Sequence, residues 1–375
     1  MSNFDGTLMD TKKSAVKKSR WRSDISFGGF NQTQRALFAR NLSVMIKSGL
    51  TVLEALDIST DSLSGKPKKI VQSVKASVEA GQPLSASLAA YPNVFSQLFV
   101  NAVYAGETSG SLEVNLEHVA EQMRKEKELV DKIKGAMLYP IVILIATFAL
   151  GMGISFFILP KITPLFQGLN IKLPITTRAL ISFANLVQAH GTLLFASIIA
   201  CILILVWVSR QPFSRPVTHW FLLHFPIVKS ISRNSNIARF CRTLSTLLKS
   251  GLTIIEAVNI TRDAIGNYYY THALDDVAGR LSSGIPLSRL LASHETYFPK
   301  LVTRMIAVGE ESGQLEDSLS YLAGFFEEEV DNDAKTLSTG IEPILLIIIG
   351  IIVGFLALSI ITPIYNITGN IGRQS

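Results

Sequence analysis

The sequence has few of the residues from which catalytic, metal and redox sites are built. Among its 375 residues there are two cysteines, Cys201 and Cys241, which form no Cys-x-x-Cys pair. There is no Gly-x-x-x-x-Gly-Lys-[Ser/Thr] loop for nucleotide phosphates, no His-Glu-x-x-His and no Gly-x-Ser-x-Gly. The six histidines have no metal-ligand spacing. We therefore expect a protein without a catalytic site, cofactor or metal, in which both cysteines are buried small side chains.

Charged side chains are also missing from three long stretches. Residues 137–159 contain none, and a helix of that length at about 1.5 Å per residue crosses the hydrocarbon core of a bilayer. Residues 191–208 and 341–365 are similarly apolar, apart from Glu342 at the start of the last stretch. With 48% hydrophobic residues, the chain has more apolar material than one soluble core needs. These stretches predict three transmembrane helices.

The chain is a duplicated unit. Landmarks of the first apolar stretch recur 203 residues later, where Pro140, Gly151 and Pro160 match Pro343, Gly354 and Pro363. Lys-Ser-Gly-Leu-Thr at 47–51 returns at 249–253, and Gly-Glu-Thr-Ser-Gly at 106–110 returns as Gly-Glu-Glu-Ser-Gly at 309–313. Agreement at this many positions, with a shift of one residue, is typical of an internal repeat.

Each copy carries the pattern of short amphipathic helices. Apolar residues recur at helical spacing from position 32, Gly and Pro separate the segments, and Thr51 with Glu54 forms a capping-box sequence. The prediction is an all-α membrane protein with two homologous cytoplasmic six-helix-type bundle domains and three transmembrane helices. We divide it into a disordered basic tail (1–31), helical domain 1 (32–136), transmembrane helix 1 (137–159), a periplasmic loop with the start of transmembrane helix 2 (160–190), transmembrane helix 2 (191–208), helical domain 2 (209–340), transmembrane helix 3 (341–365) and a short periplasmic tail (366–375).

The duplication also predicts the topology. Two copies of one domain should face the same compartment, and the unrepeated second span returns the chain to it. Lys and Arg are more frequent before the first span and after the second than in the loop between them or the C-terminal tail. By the positive-inside rule both domains are expected in the cytoplasm. The basic cluster at 12–22 fits either a solvated tail or anchorage on anionic lipid; no nucleic-acid-binding motif accompanies it.

The paired Gly-Glu-x-Ser-Gly segments are the best local motif. Gly110 and Gly313 are expected to take the positive-φ position where one helix ends and another begins. A turn does not require the carboxylates of Glu107 and Glu310. Each could accept hydrogen bonds from the N-terminus of the next helix, or contact a partner or a bound cation, and the sequence leaves these alternatives open.

An acidic stretch distinguishes the second copy. Its members are Glu327, Glu328, Glu329, Asp331 and Asp333, where the first copy interleaves lysines. On one helix like charges then stand four residues apart, which is unfavourable unless they are neutralised. A solvated face and docking to a basic partner surface both fit, and docking would use Glu327, Glu328 and Asp331.

The last span carries two further candidates. Gly350 and Gly354 form Gly-x-x-x-Gly, which lets helix backbones approach closely. The motif is common by chance, so self-association, packing within the chain and no role at all remain open. Glu342, beside Pro343 at the cytoplasmic mouth of this span, either marks the boundary or makes a contact that the first span does not make, since the first copy has Tyr139 there.

These motifs together resemble the type II secretion F family. The resemblance rests on Lys-Ser-Gly-Leu-Thr-x-x-Glu-Ala, on both Gly-Glu-x-Ser-Gly-x-Leu segments, on Leu-Tyr-Pro at 138–140 and on Glu342-Pro343, and covers about residues 32–366. It implies a non-enzymatic platform in the bacterial inner membrane, multi-pass and partnered by a cytoplasmic hexameric assembly ATPase, by pilin or pseudopilin subunits and by other assembly proteins, lipid and copies of itself. A transporter or channel is the alternative, but the span centres carry no ionisable residue.

Overall fold

The computed structural model describes residues 30–154, 157, 175–209, 211–226 and 228–371. Within these residues the chain is helical and has no β-strand, which confirms the all-α prediction. The basic tail, except for its last two residues, and most of the predicted periplasmic loop lie outside the described residues.

The first copy consists of six helices. They are α1 Gln32–Lys47, α2 Val52–Asp61, α3 Gly65–Glu79, α4 Leu84–Ala89, α5 Gln97–Ser109 and α6 Leu112–Gly153. The predicted capping box is present, because the Thr51 side chain accepts a hydrogen bond from the Glu54 N–H and the Glu54 carboxylate accepts one from the Thr51 N–H at 2.8 Å. Gly110 ends α5 with a φ of 71°, the left-handed conformation that the sequence predicts there.

The second copy repeats these six helices after a connecting segment. That segment contains α7 Ile175–Ser209, a 3₁₀ turn at Pro212–Ser214 and α8 Arg215–His224. The repeat consists of α9 Lys229–Lys249, α10 Ile254–Ala264, α11 Tyr268–Leu281, α12 Leu287–Ala292, α13 Lys300–Ser312 and α14 Leu315–Ile371. Thr253 and Glu256 form the second capping box, and Gly313 has a φ of 70°.

The cores of the two copies are continuous. Buried side chains from α1–α6 and α9–α14 form a single hydrophobic cluster, so the two predicted domains pack as one body. Phe30, two residues before the predicted start of the first domain, is also buried, with its ring 5.9 Å from that of Phe38 and 6.0 Å from that of Phe95. A lone aromatic after Gly28 and Gly29 gave no periodic signal.

Two described helices are long and apolar enough to cross a membrane. They lie in Leu112–Gly153 and Leu315–Ser359, and almost none of the most apolar window of each is buried inside the protein. Both run without interruption from the helical domain into the apolar stretch. The predicted transmembrane helix 2, 191–208, falls on α7, where His190 (φ −132°, ψ 20°) separates the helix into two segments. That span stays a prediction.

The two cysteines differ in exposure. Cys241 is fully buried in α9, and burial raises the pKa of its thiol, as expected of an inert core residue. The prediction that Cys201 is also buried is wrong, because it is exposed on α7. In a membrane-spanning α7, this exposed position would face lipid.

Candidate functional site

The two motif glutamates cap a helix in each copy. The backbone N–H of Leu84 donates to Glu107 Oε1 at 2.5 Å and that of Ser85 to Oε2 at 3.1 Å, and the Ser85 hydroxyl donates to the same carboxylate. In the second copy Leu287 N–H donates to Glu310 Oε1 at 2.5 Å and Ser288 N–H to Oε2 at 3.0 Å. The carboxylates therefore satisfy free N–H groups at the start of α4 and α12.

The local sequence explains why a distant carboxylate is needed. The N-cap residues of α4 and α12 are Pro83 and Pro286, and neither has a side chain that can cap. Glu107 lies in the last turn of α5, where the helix dipole disfavours a negative charge; the positive end of α4 compensates for this. Glu310 has the same relation to α13 and α12.

The prediction for these two glutamates was right about capping but wrong about which helix is capped. Helix capping was one of the alternatives, but the helix was taken to be the next one along the chain. Glu107 and Glu310 instead cap α4 and α12, which precede the glutamates in sequence by more than twenty residues. A contact of either glutamate with a partner or a cation stays a prediction.

Removing the cap should loosen α4 locally. We expect Glu107→Gln, which keeps the shape and weakens the charge-assisted hydrogen bonds, to lower the free energy of opening of α4 by about 1 kcal/mol. Hydrogen–deuterium exchange of the full chain in nanodiscs would then show α4 amides exchanging about fivefold faster. The exposed Glu54→Gln in the α2 capping box serves as the control, since it should affect α2 and leave α4 unchanged. Equal exchange of α4 in both variants would contradict the assignment.

The first glycine of each motif permits a close helix contact. A Cβ built on Gly106 would lie 2.8 Å from the Cα of Leu112, and one on Gly309 would lie 2.7 Å from Ser318 Oγ. Such distances are shorter than any real Cβ contact. Only glycine lets α5 pack against the first turn of α6, and α13 against that of α14. The two glycines were recognised from the sequence as matching positions, but their role in close helix packing was not predicted.

Buried polar groups join the two copies. Gln122 of α6 donates from Nε2 to Thr243 Oγ1 at 3.2 Å and accepts from Thr246 Oγ1 at 3.3 Å, both on α9. Asn115 of α6, 1% exposed, donates to the Ser250 carbonyl at 3.4 Å. Because a buried amide without partners is costly, these hydrogen bonds specify how the copies dock.

An ion-pair network extends this joint toward the membrane. Arg242 of α9 donates through Nε and Nη2 to the two carboxylate oxygens of Glu327 on α14 at 2.8 and 2.9 Å. Lys125 of α6 reaches the same carboxylate at 3.8 Å, and Arg239 of α9 pairs with Glu126 of α6 at 3.0 Å. The side chains of Arg242 and Glu327 are only 18% and 15% exposed.

Two of the remaining acidic residues, Asp331 and Asp333, also have partners within the chain. Asp331 lies 3.7 Å from Lys132 of the first copy and 2.8 Å from Lys335, and these ammonium groups hold its carboxyl pKa below the ordinary value. Asp333 accepts hydrogen bonds from Ser230 and Asn234 at 2.7 and 2.8 Å.

The prediction of a solvated face is therefore wrong for Glu327, and the neutralising cations come from this chain. Glu328 is exposed. Partner docking through Glu327, Glu328 or Asp331 stays a prediction.

The candidate residues in and beside the apolar stretch of α14 are exposed or face open space. Glu342 is exposed. A Cβ on Gly350 or Gly354 would meet no other atom within 4 Å, so no described helix packs closely against this face. Pro140 and Pro343 lie inside α6 and α14, which continue past them. Contacts of Glu342 and of the glycine face with partners remain predictions.

The described residues contain no group of three His, Cys, Asp or Glu side chains that could hold a metal ion.

A cavity of about 210 Å³ lies between the copies, bordered by α5, α6, α9 and α10. Its lining mixes apolar and polar residues and has three charged ones. Glu126 and Arg239 pair with each other, and Asp263 pairs with Arg262. The arrangement has the chemistry of an interface between helices.

Comparison with known proteins agrees with the duplication. The family model described as type II secretion system (T2SS), protein F matches twice, at residues 38–160 and 240–363. The chain is 36% identical to the type IV pilus assembly protein PilC of Thermus thermophilus, over 90% of this chain and 84% of that protein. It is 31% identical to PilC of Myxococcus xanthus, over 95% and 86%. With the type II secretion system protein F of Pseudomonas aeruginosa it shares 30% identity, over 95% and 90%.

Proposed function

Since the chain belongs to the type II secretion system protein F family, we propose that it is a platform protein of the bacterial inner membrane in a type IV pilus or type II secretion machine. It crosses the membrane several times with both helical domains in the cytoplasm. It couples a cytoplasmic hexameric assembly ATPase to the insertion or extraction of pilin or pseudopilin subunits, and performs no chemistry itself. Other assembly proteins, membrane lipid and further copies of the chain are its remaining partners.

The observation that carries this proposal is the continuity of α6 and α14. Each helix starts in a cytoplasmic bundle and ends in an apolar stretch, over 42 and 57 residues respectively. Because each helix is continuous, a displacement of the bundle is passed along the helix to its apolar stretch. The repeated prolines, Pro140 and Pro343, stand where each helix enters the apolar stretch, and a proline is where a long helix can bend.

The joint between the copies supports the same role. Polar and charged contacts tie α6 and α9 together, and α14 is tied to both through Glu327. A load applied to either bundle would therefore reach both membrane helices. This is what a passive transmitter between a motor and a membrane-embedded substrate requires.

Cross-linking in native membranes tests the proposal. We would place a photoreactive amino acid at Glu328 of the tagged full chain and identify the captured proteins by mass spectrometry. A hexameric assembly ATPase at this position, and pilin-like subunits captured from Gly350 on the last apolar stretch, would support the platform function. Recovery of neither, with a solute flux that depends on the protein, would overturn it in favour of a transporter.

Charge reversal at Glu328 gives a quantitative form of this test. Because Glu328 is exposed, we expect Glu328→Lys to reduce about tenfold the ATPase captured by pull-down of the tagged chain without a cross-linker, and to leave the thermal unfolding midpoint unchanged. Asp61→Lys is the matched control, since Asp61 is 84% exposed on α2 of the other copy. Undiminished capture with Glu328→Lys would remove this face from the docking surface.

A further inference from the structure

Helix α8 turns a row of large apolar side chains away from the protein. Val217, Trp220 and Phe221 lie at helical spacing and are 69%, 51% and 52% exposed, and Phe213 in the preceding 3₁₀ turn is 70% exposed. The row is contiguous, with Trp220 stacked on His224 at 4.5 Å and Phe221 on Phe225 at 4.8 Å between ring centroids. An exposed apolar patch of this kind is typical of a site that contacts another copy of the chain, another protein or a membrane.

A different face of the same helix is fixed to the second bundle. Leu223 is buried, the Pro216 carbonyl accepts a hydrogen bond from Tyr269 Oη at 3.2 Å, and His219 Nδ1 accepts from the Tyr268 N–H at 3.0 Å. Burial lowers the pKa of His219, which keeps Nδ1 available as an acceptor. The apolar row is therefore held outward by specific contacts and cannot turn inward without breaking them.

The position of α8 in the chain argues for lipid as the occupant. The helix starts six residues after the end of α7, the predicted second span, and Trp207 stands exposed near that end. Tryptophan is enriched at the membrane–water interface, and helices that lie in the interface typically carry Trp, Phe and Leu on their apolar face. Arg215 and Lys229 flank α8 and are exposed, as expected where anionic headgroups lie nearby.

We propose that α8 is an interfacial helix that lies in the headgroup region of the cytoplasmic leaflet and seats the second bundle on the lipid surface. The proposal rests on the topology of the proposed function, in which α7 returns the chain to the cytoplasm.

Depth-dependent quenching of tryptophan fluorescence tests this. The full chain has three tryptophans, so Trp21→Phe with Trp207→Phe leaves Trp220 as the reporter. In nanodiscs of phosphatidylethanolamine and phosphatidylglycerol, a nitroxide near the headgroup should reduce its emission about twofold, and one near the chain end much less, because interfacial helices sit about 5–10 Å deep. The control places tryptophan at Tyr321, 62% exposed on α14 of the same bundle, in a chain without the other three; it should not be quenched.

Each other outcome contradicts the proposal in a distinct way. Red-shifted, unquenched emission from Trp220 would mean that water covers α8. Blue-shifted emission without quenching would mean that protein covers it, either a second copy or another component. Stronger quenching by the deep probe would mean insertion rather than interfacial seating. A variant that keeps only Trp207 separates the topology from the inference: if Trp207 is quenched while Trp220 is not, the span stands and the interfacial helix fails, and if neither is quenched the topology fails as well.

Discussion

Replacing Glu327 by alanine should cost the folded protein about 2–3 kcal/mol, because the Arg242 guanidinium then loses both hydrogen bonds in a place that water reaches poorly. Breaking a fully buried pair costs about 3–5 kcal/mol, and the remaining exposure of 15–18% lowers our value. The loss falls where α6, α9 and α14 meet, since Lys125 approaches the same carboxylate.

Hydrogen–deuterium exchange of the full chain measures this change. Amides of α9 and of the part of α14 that packs in the bundle should exchange about 30- to 150-fold faster in Glu327→Ala, since every 1.4 kcal/mol is a factor of ten. The neighbouring exposed Glu328→Ala is the control and should stay within about 0.5 kcal/mol of the parent. Replacing both partners, with Arg242→Met and Glu327→Leu, should restore most of the protection, because an apolar pair does not leave an unpaired charge. Equal effects of the Glu327 and Glu328 single variants would show that the network is not desolvated.

Local rules predicted much of the fold. Capping boxes, glycine at positive φ and helical periodicity depend on residues a few positions apart, so Thr51, Gly110 and their counterparts in the second copy are confirmed as helix boundaries. The repeat spacing is confirmed by the two family matches. Contacts between distant residues were not accessible in this way. The capping of α4 by Glu107 depends on how α5 returns past α4, and the only signal was a proline at the N-cap, where no side chain can cap.

The acidic stretch shows the same limit. Like charges four residues apart on one helix are unfavourable unless they are neutralised, and a solvated face and docking to a basic partner surface were the two alternatives. Lys125 and Lys132 of the first copy are two of the actual cations. Pairing them with Glu327 and Asp331 required the knowledge that α6 and α14 pack against each other, which periodicity alone does not contain. Arg242 lies 85 residues from Glu327 and gave no signal.

Gly106→Ala should destabilise the first bundle by about 2–3 kcal/mol, at the upper end of what overpacking costs. The added methyl group would lie 2.8 Å from the Leu112 Cα, a backbone atom that cannot rotate away, so α5 and α6 must separate. The separation also moves Glu107, on the next residue of α5, away from the α4 N–H groups. Amides of α4, α5 and the first turns of α6 should together exchange about 30- to 150-fold faster.

The matched substitutions in the second copy distinguish crowding from an effect of helix propensity. Gly309→Ala meets mainly the Ser318 side chain, with Oγ at 2.7 Å and Cβ at 2.9 Å, so Ser318→Gly should relieve part of its cost. Gly324→Ala on α14 faces open space and should stabilise the helix by about 0.5–1 kcal/mol, because alanine forms helices better than glycine. If Gly106→Ala behaved like Gly324→Ala, the packing of α5 against the first turn of α6 would not depend on the close contact at Gly106. The structure would then give no reason for a glycine at the first position of the repeated motif. If it destabilises the bundle as expected, both glycines and the glutamate of the motif have structural roles, and exposed residues such as Glu328 become the first positions to examine for partner binding.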